Sequence, residues 1–123
     1  MRDVNIVFGI NAGKIWRTLD SIGPLTKIQL MDRIELEENE LFRAIGWLAR
    51  ENKINKEGEF YKLDDTNLSD MIEKNAEVLY RIFKNGKLDV NNLEKITKLD
   101  EETYNLSLGW LAREDRLEND ILI

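Results

Sequence analysis

The 123-residue chain is predicted to be mainly α-helical with small β-hairpins, built as two winged helix-turn-helix units in tandem. Three observations predict it. Gly46-Trp47-Leu48-Ala49-Arg50-Glu51 recurs unchanged as Gly109-Trp110-Leu111-Ala112-Arg113-Glu114, so one unit is present twice. Within each copy, three apolar-patterned segments read as helices, the first with the i, i+3, i+4, i+7 spacing, and a short run with hairpin character follows. Finally, 42% of residues are hydrophobic and only one is proline, which is the composition of a folded domain rather than a disordered chain.

The repeat extends beyond the identical core. Gly23, Leu25, Leu30 and Leu36 recur as Gly86, Leu88, Leu93 and Leu99, and Asn52-Lys53-Ile54 is echoed by Asp115-Arg116-Leu117. Upstream, Asn11-Ala12 matches Asn75-Ala76, and Ile15, Trp16 and Leu19 match Leu79, Tyr80 and Phe83, with a one-residue slip near position 22. The units are expected to be 1–65 and 66–123, the second with a shortened wing.

In the first unit, Ala12, Ile15, Trp16, Leu19 and Ile22 define an amphipathic helix that ends at Gly23-Pro24, which places Trp16 in the core. Leu25 is the stub of a first strand. Thr26 is positioned to cap a short second helix carrying Ile28, Leu30, Met31 and Ile34. Glu35-Leu36-Glu37 makes the turn into a third helix running from about Glu37 to Glu51. Lys53–Asn55 and Glu59–Leu63 flank Lys56-Glu57-Gly58 as the wing hairpin. The second unit repeats this with helices over 69–85, 89–97 and 100–114, the strand stub Leu88, and a terminal hairpin of 116–118 and 121–123 around Asn119-Asp120. The linker around Asp64–Asn67 is very short, with Thr66, Asn67 or Ser69 available as a cap; it is the expected site of proteolytic cleavage.

Composition narrows the function. With no cysteine and no histidine, the chain has no disulfide, thiol nucleophile, imidazole base or structural zinc site. No Gly-rich phosphate loop is present, and serine and threonine have no histidine to activate them. Paired carboxylates such as Glu37 and Glu40 read as solvated helix faces. No catalytic, metal or cofactor residue is therefore expected, and the chain is read as a non-enzyme with no small-molecule substrate evident. Its apolar runs are too short to span a bilayer, no secretory leader is recognised, and a cytoplasmic location is expected. The net charge of −6 lies entirely beyond residue 63, since the first 63 residues carry ten acidic and ten basic side chains. Nucleic-acid binding generally needs a basic face, which this balance does not favour.

The segment Asn11-Ala12-Gly13-Lys14-Ile15-Trp16, followed by Ala44–Ile54, resembles a family of small prokaryotic winged helix-turn-helix proteins of unknown function. Its members show an "NAGKVW" start and an "LGWLAREGKI" third helix. The resemblance covers nearly all of the first copy. The second keeps Asn75-Ala76 and Gly109–Glu114 but has Glu77-Val78 in place of Gly-Lys. It implies the winged-helix fold and brings no substrate, ligand or catalytic residue with it.

The third helices carry the candidate site. In a DNA-binding winged helix the start of this helix reads bases, yet here it is Glu37-Glu38-Asn39-Glu40 in one copy and Asp100-Glu101-Glu102-Thr103 in the other. These carboxylates suit a helix N-terminus and would repel phosphates. At about 100° per residue, Leu41, Ile45 and Leu48 share the core face, while Arg43, Trp47 and Arg50 lie opposite. In the second copy Tyr104, Leu108 and Leu111 face the core, and Leu106, Trp110 and Arg113 lie opposite. Trp47 and Trp110 either pack against their own unit or serve a contact with another domain. Gly46 and Gly109, each costing about 1 kcal/mol relative to alanine inside a helix, imply close approach by another element.

Two functions follow. The leading one is a non-catalytic module acting through protein–protein contacts, possible in transcription-related complexes, with Trp47, Leu106 and Trp110 as interface residues and a protein partner or self-association expected. The alternative is a DNA-binding regulator that uses Arg43, Arg50, Lys53 and Lys56 on the third helix and wing of the first unit. Sixty-residue units are marginal alone, so the two halves are also expected to pack as a pseudo-symmetric pair, through Trp47 or Trp110 with Leu106.

Overall fold

A computed structural model of the chain describes residues 4–85 and 99–117. The expected Leu88 stub, the helix over 89–97, and residues 118–123 of the second wing lie outside the described residues. The elements are α1 (Val4–Ile22), β1 (Leu25–Thr26), α2 (Lys27–Ile34), α3 (Glu38–Arg50), β2 (Ile54–Glu57), β3 (Phe60–Leu63), α4 (Ser69–Asn85) and α5 (Glu101–Arg113).

Local chemistry sets the element ends. Thr26 opens α2 with a reciprocal cap: its hydroxyl accepts from the Gln29 amide, and the Gln29 side chain accepts from the Thr26 amide. Glu35 closes α2 in the left-handed region, at φ 52°. The Glu37 amide donates to the Glu40 carboxylate at the start of α3, and Asp100 accepts from the Thr103 amide at the start of α5. The acidic residues at these two helix starts thus include capping groups. Both third helices stop in the same way. Asn52 and Asp115, matched by the repeat, each adopt a positive φ that lets the chain turn back, with Lys53 and Arg116 donating to the carbonyls of Leu48 and Leu111.

The sheet of the first unit is antiparallel, in the order β1-β3-β2, with Leu25 opposite Tyr61 and Ile54 opposite Leu63. The wing turn is tighter than the sequence reading placed it. Lys56 and Glu57 belong to β2, and only Gly58-Glu59 turn, because Gly58 supplies the positive φ that a two-residue hairpin needs. Leu25, Ile54 and Tyr61 close the core of α1, α2 and α3 from below.

Two features of α1 differ from expectation. The helix begins at Val4, well before the apolar stripe read from Ala12 onwards, and its start reaches both units. Asn5 donates to Asp115 at 2.8 Å, and Phe8 is buried beneath Arg43. Trp16, expected in the core, is 38% exposed. The buried stripe is Phe8, Ala12, Ile15 and Leu19, and Trp16 lies roughly 70° round from its centre.

The linker is not a loose tether. Asn67 makes a two-way bond with the backbone of Lys56, its amide donating to the carbonyl and its oxygen accepting from the N–H. Asn52 accepts from the Thr66 amide, and Asn55 donates to the Asp65 carbonyl. These bonds lash residues 65–67 to the wing.

Candidate functional site at the crossing of the third helices

Among the described residues, the most extensive packing is between α3 and α5, the two third helices. They cross at Gly46 and Gly109. A Cβ on Gly46 would collide with the Leu106 carbonyl, and one on Gly109 with the Arg43 carbonyl. Since Leu106 is the repeat counterpart of Arg43, the two collisions are the same contact seen from either side of a pseudo-two-fold axis.

The flanking side chains obey the same symmetry. Arg50 bonds Glu114 at 3.1 Å and lies over the ring of Trp110, while Arg113 bonds Glu51 at 3.0 Å and lies over the ring of Trp47. Each arginine thus joins a carboxylate and an indole from the other copy of the repeated Trp-Leu-Ala-Arg-Glu segment. Trp110 is 6% exposed and Leu106 4%. Trp47 is half-buried, wedged between Arg113 and Gly9 of α1, where even one added carbon would sit only 3.1 Å from the indole.

The symmetry breaks at one polar contact. Arg43 donates to the Asn105 side chain at 2.8 Å, and Asn105 donates in turn to the Glu101 carbonyl and to Asn39. Asn105 is fully buried at the position where the first copy has Phe42. Burial pulls the Arg43 guanidinium below its ordinary value, while nearby Tyr104 and Glu40 oppose that shift. The Asn105 side chain is satisfied by hydrogen bonds, as buried polar groups generally are.

A second cluster fastens α4 to the end of α5. Arg116 lies 3.7 Å from the ring centre of Tyr80 and bonds both Glu77, at 2.6 Å, and Glu114. Its hydrogen bond holds the Glu77 carboxyl below the usual carboxylate range.

The residues read as possible DNA contacts do not lie on one free face. Arg43 and Arg50 are engaged in the helix crossing. Lys53 extends to Glu51 at 3.7 Å, and Lys56 lies over Tyr61 on the wing. Five residues of the crossing were not singled out from the sequence: Asn39, Glu51, Asn105, Glu114 and Gly9. A signal exists for three of them. The duplicated Arg50-Glu51 and Arg113-Glu114 dipeptides place opposite charges side by side, so a two-fold axis pairs each with the other. Asn105 is a polar residue flanked by Tyr104 and Leu106.

Among the described residues no group of His, Cys, Asp or Glu is placed to hold a metal ion, and no helix is long and apolar enough to cross a membrane.

Three helices, a strand stub and a wing, followed by a second first helix and third helix in the same relation, define the class: a tandem winged helix-turn-helix protein, of the kind that binds DNA or other proteins. The chain belongs to the family described as Winged helix-turn-helix domain (DUF2582), which it matches twice, over residues 1–63 and 65–120. No curated protein and no solved structure matches it.

Proposed function

We propose that this protein is a non-catalytic interaction module that works through protein–protein contacts. The observation that carries the reading is the use of the third helices. In DNA-binding winged helices that element enters the major groove. Here the outward face of α3 lies against α5, and Arg43 and Arg50, which would have to reach base edges or phosphates, are bonded to Asn105 and Glu114. Trp47, Leu106 and Trp110 are interface residues in this reading, and the interface they serve joins the two units of one chain. The pair then acts as a single rigid body that offers other surfaces to a partner.

Electrostatics supports the same reading. The starts of α3 and α5 present Glu38, Glu40, Glu101 and Glu102, of which Glu38 is tied to Lys27. Phosphates would meet carboxylates there. The test is a pull-down with the full chain, with and without nuclease, alongside a mobility-shift titration of duplex DNA across salt. Nuclease-resistant capture of the same partner is the expected result. Tight, sequence-selective duplex binding at physiological salt, with no protein captured, would sink the proposal in favour of a DNA-binding regulator.

A further inference from the structure

One stripe of α1 has no packing partner among the described residues. Ile6, Ile10, Lys14, Arg17 and Ser21 follow one another at steps of three or four residues and so share a side of the helix. Across from them stand the end of α2 and the turn after it, with Arg33, Ile34 and Leu36. Two depressions lie between these walls. Both are lined by Lys14 and Ile34, so they form one groove, about 22 Å long at 1.5 Å per helical residue. That length matches about four turns of an incoming helix.

The two ends differ in chemistry. Ile6 and Ile10 are 59% and 54% exposed at one end, with Ile34 half-buried beside them. At the other end Lys14, Arg17 and Arg33 converge around Thr18 and Ser21. Lys27, Lys53, Lys62, Arg50, Arg113 and Arg116 each have a carboxylate partner, whereas Lys14, Arg17 and Arg33 are in no ion pair among the described residues. Arg43, Lys56, Lys74, Arg81 and Lys84 make no ion pair among the described residues either; Lys14, Arg17 and Arg33 are set apart because they line one depression. The repeat keeps Arg17 as Arg81 but puts Val78 and Ile82 where Lys14 and Thr18 stand, so the full set occurs in the first unit.

We infer that this groove docks an amphipathic helix of a protein partner, with apolar side chains over Ile6, Ile10 and Ile34 and aspartates or glutamates over Lys14, Arg17 and Arg33. The inference rests on the protein-contact reading above and gives that partner its chemistry. Charge complementarity selects an acidic segment, and the exposed isoleucines select one with an apolar half. A nucleic-acid backbone would satisfy the three cations but leave the isoleucines in water, and the net negative charge of the chain would oppose it. Glu35 and Glu40 border the apolar end, so the acidic half of the partner is directed to the C-terminal half of α1.

The test uses the full chain and two labelled helical peptides of about sixteen residues, a length set by the groove. One carries leucines on one face of its first half and glutamates on the same face of its second; its twin has lysines for the glutamates. Fluorescence anisotropy at about 0.15 M salt should show the glutamate peptide bound, and its twin bound at least about tenfold more weakly. Lys14→Glu/Arg17→Glu/Arg33→Glu should reverse that preference, an outcome that a misfolded variant does not give. Ile6→Ser/Ile10→Ser should weaken both peptides. Failure to bind the glutamate peptide, or equal binding of the two, overturns the inference. So does a duplex that binds where the glutamate peptide does not, or a homodimer in light scattering that Ile6→Ser/Ile10→Ser dissolves. A protein still captured by the charge-reversed variant would overturn the groove and leave the protein-contact reading standing; absence of any protein partner would overturn both.

Discussion

Gly46 and Gly109 face each other across the crossing of α3 and α5, and each hydrogen stands where a methyl group would strike the backbone of the other helix. A solvent-facing glycine in mid-helix gains about 1 kcal/mol when changed to alanine. Here Gly46→Ala and Gly109→Ala should instead each cost about 1–3 kcal/mol, because the atoms in the way are backbone carbonyls that have no rotamer to yield. Urea unfolding measures this directly. A stabilised alanine variant would mean that the two helices do not touch at these residues.

The reciprocal arginines give a second prediction. Arg50 and Arg113 are both partly exposed, each with one carboxylate and one indole from the other unit. Arg50→Ala and Arg113→Ala should each cost about 1 kcal/mol, the sum of a half-exposed ion pair and a cation–π contact. The pseudo-symmetry requires similar costs for the two, and they should add within about 0.5 kcal/mol because the pairs share no partner. Strong inequality would show that only one of the two pairs forms.

Trp16 and Ile15 are neighbours with opposite fates. Ile15 is fully buried, so Ile15→Ala should cost about 2–5 kcal/mol. Trp16→Ala removes a ring already in partial contact with water and should cost much less, about 1 kcal/mol, from the packing it loses beside Trp47. Thermal melts of the two variants rank them, and the reverse order would place α1 in another register.

Both halves should unfold together. Trp47 reports on the first unit and Trp110 on the second, and the two are joined through the same crossing. Single-tryptophan variants retaining one or the other should give superimposable urea transitions. Two separate midpoints would mean that each unit is stable without its neighbour.

Acid should weaken the fold through two named carboxyls. The Thr103 amide holds Asp100 below its ordinary value, and Arg116 does the same for Glu77. A carboxyl depressed in the folded state contributes stability above its unfolded pKa, and that contribution is lost as pH falls through the folded one. The urea midpoint should therefore decline from about pH 5 downwards, and Glu77→Gln/Asp100→Asn should flatten the decline. An unchanged acid limb in that double variant would refute the assignment.

Most of the first unit was legible in the sequence for local reasons. Thr26 and Gln29 form their cap within one turn, Gly23-Pro24 cannot continue a helix, and the duplication marks α3 and α5 as the same element. The sequence pattern puts the turn at Gly58 one or two residues early because Lys56 and Glu57 carry no strand preference; their pairing with Tyr61 and Phe60 decides it. Trp16 was misplaced because helical spacing tolerates a residue at the edge of a stripe, and only packing says whether that edge is wet.

The sequence by itself determined the repeat, the order of the elements and the inward faces of the third helices, since each depends on residues close together along the chain or on identity between copies. It also marked Gly46, Gly109, Trp47 and Trp110 as requiring some neighbour. The expected pairing of the halves points to the other unit; which element of it, and at which residues, was decided by tertiary structure alone. The partner of each third helix is the other third helix, 63 residues away. No periodicity encodes that distance. The choice is made by the close backbone approach that two glycines permit, and by the pairing of each Arg with a Glu and a Trp across the axis this approach creates.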